Sequence, residues 1–216
     1  MEQQLTGILQ ELKNRYKNRW SQIWTKLEPE YNIIQKALAK GETPDNEHLK
    51  RLKELSENTF STKLSIKQLK NTKLKEFLIK VKNWQNVEGL SKEEIWKEKG
   101  LGATTITHWA TLVNPNIFLP MWKKTMKRTS KILKLPPRLY ASSNHPKQVE
   151  NTLKLLKTIG EKIKAENMLE IAYYLNKLEK TTLAAKHWQK ISHRRQRKPP
   201  TKIKKHHLKR KRRQKW

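Results

Sequence analysis

Three groups of residues have the types and spacing to hold phosphate. The first is Lys99-Gly100-Leu101-Gly102-Ala103-Thr104, set between Ile95-Trp96 and a following run with Ile106, Trp109 and Ala110. Two glycines let a chain turn tightly and bring its backbone close to a ligand. The amides that open the next helix lack intrahelical partners and carry the positive end of its dipole, so an anion fits there without a side chain. Leu101 is placed to anchor the turn in a core. The second group is Lys123, Lys124, Lys127, Arg128, Lys131 and Lys134, which recur on one side of the segment after Trp122. Such cations position a protein on a phosphate backbone without reading sequence, and Arg128 is able to bind bidentately. The third is the run from Lys186 to Trp216, with fifteen Lys/Arg and no acid. Arg194, Arg195, Arg197 and the block Lys209-Arg210-Lys211-Arg212-Arg213 are its expected phosphate contacts.

The charge is not confined to that tail. The chain has 216 residues and a formal net charge of +30, and half of it lies in residues 1–185. From Lys99 to Val149 there are nine Lys/Arg and no Asp or Glu. A folded part this basic is expected to face a polyanion, nucleic acid first and an anionic membrane surface second. Solubility alone does not require so much charge of one sign.

Chemistry beyond binding has little to work with. There is no Cys, which removes thiol nucleophiles, disulfides and Cys-based zinc sites and fits an intracellular chain. Tail residues His193, His206 and His207 lack a third ligand at helical spacing or a nearby carboxylate, so no metal or cofactor is expected. Glu93-Glu94 is explained by helix capping. Glu161, Glu166 and Glu170 could share a face, but Lys162, Lys164 or solvent are their expected partners. No catalytic residue is assigned. Trp96, Trp109 and Trp122 sit among apolar neighbours and read as core. Trp188 and Trp216, flanked by cations, are better placed to stack on bases or meet a membrane interface.

The elements that must position these groups are helical. Six Gly, nine Pro and little β-branched alternation favour an all-α chain. Residues 3–27 read as one helix, ended by Glu28-Pro29. Pro29 is expected to open a second, short helix through Tyr31, Ile34 and Leu38 to Gly41. Thr43-Pro44 reads as a cap and first turn for a helix with Leu49, Leu52 and Leu55. Residues 64–87 suggest a helix or two. Ser91 and Glu94 have capping-box spacing, with Leu90 and Ile95 at the staple positions. A helix follows over Ala103–Val113, stopped by Asn114-Pro115. Phe118–Leu135 is apolar and basic, and Lys147–Lys180 reads as two helices. No run of eighteen uncharged apolar residues spans a membrane, and no signal peptide is expected. The expected organisation is N-terminal helices over 1–87, able to share one core with the rest, a helical domain over 88–185, and a disordered polybasic tail over 186–216.

The stretch Lys99-Gly-Leu-Gly-Ala-Thr-Thr-Ile-Thr-His, followed by Val113-Asn-Pro-Asn-Ile-Phe-Leu-Pro-Met-Trp122, resembles the helix-hairpin-helix motif of the DNA glycosylase superfamily over about 35 residues. The resemblance implies an all-α fold and duplex DNA as the partner. The Schiff-base lysine of bifunctional members corresponds to Thr104, and the aspartate that supports base removal corresponds to Lys123. Lysine can neither hold a cationic transition state nor activate water in its place, and Thr107 and His108 do not replace it. A small residue that packs the hairpin helix corresponds to Ile106, which implies looser packing. The expectation is a glycosylase-like scaffold without its active site, binding DNA in preference to RNA, nuclear if the host is eukaryotic and otherwise in the cytoplasm or nucleoid. RNA binding or ribonucleoprotein assembly, with a protein partner on the N-terminal helices, is the alternative. A base-excision enzyme drawing its acid from Glu161 or Glu170 is a further one.

Overall fold

The computed structural model describes residues 2–56, 64–132 and 139–178, without the side chain of Ile132. These residues are helical, with no strand among them. The α-helices are α1 (Glu2–Ala39), α2 (Asn46–Leu55), α3 (Thr72–Val81), α4 (Ala103–Val113), α5 (Lys123–Ile132), α6 (Pro146–Lys162) and α7 (168–178). Short 3-10 turns cover Ile66–Lys70, Leu90–Lys92 and Glu94–Lys97.

Helix α1 runs through Pro29 and is one element, not the expected pair. Proline removes one amide and crowds the preceding turn, at about 3 kcal/mol in a helix interior. Burial outweighs that. Leu27, Tyr31, Ile34 and Leu38 continue the apolar stripe of the first half, and each is at most 4% exposed. Full burial of such side chains contributes about 2 kcal/mol apiece. Tyr31 also donates its hydroxyl to the Thr111 carbonyl of α4 (2.9 Å). Pro29 itself stands on the exposed side, where the missing amide costs least packing.

Two caps differ from the sequence reading. Helix α2 starts after Asp45, whose carboxylate accepts from the Glu47 amide (2.9 Å), so Asp45 and not Thr43 is the cap. Ser91 and Glu94 form no capping box. The Ser91 amide donates to Glu150 Oε2 of α6 (2.8 Å), and Glu94 pairs with Lys97 (3.1 Å). A buried carboxylate from a distant helix displaced the local partner. A capping box does form at Ser65, where the hydroxyl accepts from Lys67 and the Gln68 side chain accepts from the Ser65 amide (3.2 Å). Residues 64–87 give only one α-helix, because Asn71 ends the 3-10 turn and caps α3 through Leu74 (2.9 Å).

Helix α4 is the centre. From Ile106 to Val113 every residue is buried. Helices α1 and α3 pack on it, and α1 also packs on α6. Asn114 ties its end to α3, its amide donating to the Val81, Lys82 and Trp84 carbonyls at 3.1, 3.3 and 3.0 Å. The buried apolar side chains, from Leu5 of α1 to Leu175 of α7, thus share one core.

Candidate nucleic-acid interface

The Gly-Leu-Gly turn has the geometry its sequence suggests on one side only. Gly100 takes φ +85°, which favours glycine, and Leu101 is buried. Gly102 has φ −88° and is the N-cap of α4, with no side-chain cap bond. A β-carbon at either glycine would meet nothing within 4 Å, so neither is there for internal packing. Lys99, Gly100 and Gly102 are exposed, Thr104 is half-buried and Ala103 is buried. The helix's first intrahelical bond is Ile106 N–H to the Gly102 carbonyl (3.1 Å), which leaves the amides ahead of it directed out of the helix start. The element before the turn is the 3-10 turn Glu94–Lys97, held in the core by Ile95 and Trp96. It is shorter than the helix that the helix-hairpin-helix resemblance implies.

Helix α5 begins beside the second turn of α4. The Met121 amide donates to Thr107 Oγ1 (3.2 Å), and Trp122 lies edge-on to His108 with ring centres 5.0 Å apart. Thr107 and His108 are buried within this packing. Thr107 Oγ1 donates to the Ala103 carbonyl (2.8 Å), and His108 Nδ1 donates to the Thr104 carbonyl (2.5 Å). Burial pushes the His108 pKa down to about 3, so the ring is neutral at physiological pH. Ile106 is 1% exposed, so the packing at this position is closed and not loose.

Helix α5 divides cleanly. Thr125, Met126, Thr129 and Ser130 are buried, while Lys123, Lys124, Lys127, Arg128 and Lys131 are exposed. The four lysines have no ion-pair partner among the described residues. This arrangement works against the helix. Lys123–Lys127, Lys124–Arg128 and Lys127–Lys131 are like-charge i,i+4 pairs, each destabilising by about 0.2–0.5 kcal/mol. Lys123 and Lys124 also stand at the positive end of the helix dipole. Together these terms cost the helix on the order of 1–2 kcal/mol. Lys134 and the tail residues, from Arg194 through Arg213 with the three His and Trp188 and Trp216, lie outside the described residues.

Of the three tryptophans expected in the core, Trp96 and Trp109 are there. Trp109 is fully buried and donates to Gln68 Oε1 (2.8 Å), and Trp96 donates to the Leu90 carbonyl (2.6 Å). Trp122 is half-buried against His108.

The acids have structural partners that sequence reading did not supply. Glu170 is 2% exposed, accepts from the Tyr174 hydroxyl and the Glu166 amide (both 2.6 Å), and faces Lys13 of α1 (3.8 Å). Glu166 accepts from Trp20 Nε1 (3.3 Å), and Glu161 lies 3.8 Å from Lys157. Lys162 pairs with Glu2, and Lys164 is bonded through its carbonyl by Lys13. Of these partners Glu2, Lys13 and Trp20 come from α1, at the far end of the described chain, and no local pattern announces them. Among the described residues no cluster of three His, Cys, Asp or Glu could hold a metal ion, and no helix is long and apolar enough to cross a membrane.

Comparison with protein-family models, curated proteins and solved structures gave no match to this chain.

Proposed function

We propose that this protein binds nucleic acid, duplex DNA in preference to RNA, through a phosphate-docking face and without catalysing a reaction on it. The observation that carries the reading is α5. Its exposed side holds Lys123, Lys124, Lys127 and Lys131 in an acid-free region, at like-charge spacing and against the dipole at the helix start. Phosphates would relieve both the mutual repulsion and the conflict with the dipole. The start of α4 lies about one turn from the residues that receive α5. Its first amides, from Gly102 to Thr104, have no intrahelical acceptor and would take a neighbouring phosphate. This is the role a helix-hairpin-helix scaffold would give them. Lys123 stands where such a scaffold would carry its catalytic acid, and Glu170 is already committed to Tyr174, Glu166 and Lys13. Contacts of this kind are to backbone, so the expected binding is weakly dependent on base sequence.

Gly102→Asp separates docking from folding. Aspartate is a favoured N-cap, and the site has room for it, so stability should hold or rise by a few tenths of a kcal/mol. The same carboxylate would repel a phosphate at the helix start. Duplex affinity measured by fluorescence anisotropy should fall about tenfold. An unchanged affinity removes the hairpin from the interface. Stronger binding to hairpin RNA than to matched duplex DNA at physiological salt would instead favour the RNA reading.

A further inference from the structure

Among the described tryptophans Trp122 stands apart. Trp20, Trp96 and Trp109 are buried in the core, and Trp24 and Trp84 pack against it. Trp122 does neither. It is half-buried, and the ring it meets is that of His108, with centres 5.0 Å apart and 74° between the planes. Tryptophan collects at interfaces where one part of the ring is covered and the other is wet.

Its place is set by the two elements of the docking face. The His108 side chain leans toward the start of α4, with Nδ1 on the Thr104 carbonyl (2.5 Å), so the Trp122 ring that meets it stands beside the first turn of α4. The Trp122 carbonyl accepts from the Met126 amide (2.9 Å), which makes Trp122 the residue at which α5 begins. Exposed Lys123 and Lys124 follow at once. The ring is thus flanked by the free amides of α4 on one side and the cations of α5 on the other. A strand whose phosphates meet both groups carries a base past the ring between them.

What the ring gains there depends on whether the base is already free. Stacking one base on an aromatic side chain is worth about 5- to 140-fold in affinity. Inside a continuous duplex both faces of every base are taken, and opening a step costs as much or more. Where one strand continues alone past the end of a duplex, the first unpaired base offers a face at little cost. The duplex beside it still supplies phosphates for α5. We infer that Trp122 stacks on the first unpaired base of such a junction, so that the docking face favours a duplex with a single-stranded extension over a continuous one. The inference rests on the docking face proposed above and names the form of DNA that the face takes.

The test measures binding of the full chain by fluorescence anisotropy to a blunt duplex, to the same duplex with a short single-stranded extension on either strand, and to that extended duplex with the bases of the extension removed and its phosphates kept. The two extended duplexes carry the same charge, so a difference between them reads the bases alone. The wild type should bind the one with bases at least about fivefold more tightly. Trp122→Leu should abolish that difference while holding blunt-duplex affinity within about twofold of wild type, which guards against a folding defect. Trp122→Phe keeps a ring and should retain part of the difference. Equal binding of the two extended duplexes by the wild type overturns this inference alone. A difference that survives Trp122→Leu also overturns it and assigns the stacking to another residue. Equal loss of blunt- and extended-duplex affinity in Trp122→Leu overturns it as well, because the ring then only braces α5 on α4. A wild type that binds none of these DNAs overturns the docking face too.

Discussion

Glu150→Gln tests how the hairpin is held to the body. Glu150 is 1% exposed on α6. It accepts from the Ser91 amide (2.8 Å) and pairs with Lys147 (2.8 Å) and Lys154 (3.5 Å). Burial raises its pKa, but the bonds from Lys147 and Ser91 outweigh that and bring it down to about 2, from an ordinary 4.5. A carboxyl depressed by that much stabilises the fold by about 3 kcal/mol at neutral pH. The sign follows from the depression. The folded state favours the charged form, so the contribution is complete above pH 4.5 and is lost as pH falls toward 2. About half remains near pH 3. Glutamine keeps the shape and one acceptor but not the charge. Urea unfolding should therefore show the variant about 2–3 kcal/mol less stable at pH 7, with the gap closing to under about 1 kcal/mol at pH 2. A gap under about 0.5 kcal/mol at pH 7, or one that does not change with pH, refutes the reasoning.

Asn114→Ala removes the amide that binds three carbonyls at the end of α3, and should cost about 2–3 kcal/mol in urea unfolding. Pro29→Ala should stabilise by about 1–2 kcal/mol, because it restores an amide to the α1 ladder on an exposed side; unchanged or lower stability would mean α1 is shaped around the proline.

What sequence made legible was what local physics decides. The all-helical class, the span of α4, the amphipathic α5 and the stop at Asn114-Pro115 all appear as periodicity or punctuation. What it missed depended on distant partners. Pro29 signals a break, yet Tyr31, Ile34 and Leu38 find α4 and the core and carry the helix onward. Ser91 and Glu94 have the right spacing for a capping box, yet Glu150, 59 residues on, takes the Ser91 amide. Lys13 meeting Glu170 and the Ile163 and Lys164 carbonyls is likewise invisible in either segment alone. At the site, sequence separated the exposed cations of α5 from its buried side. The division of labour between Gly100, which needs a positive φ, and Gly102, which caps α4, emerged only from the backbone.

The most direct test of the docking face is the salt dependence of duplex binding by the full chain and by Lys123→Gln/Lys127→Gln/Lys131→Gln. The tail contributes equally to both, so the difference isolates α5. Three lost phosphate contacts should make the slope of log K against log salt shallower by about 2.7. The variant should fold at least as stably as wild type, because two of the three like-charge pairs are gone. Parallel slopes, with a variant as stable as predicted, would show that α5 does not meet the phosphates.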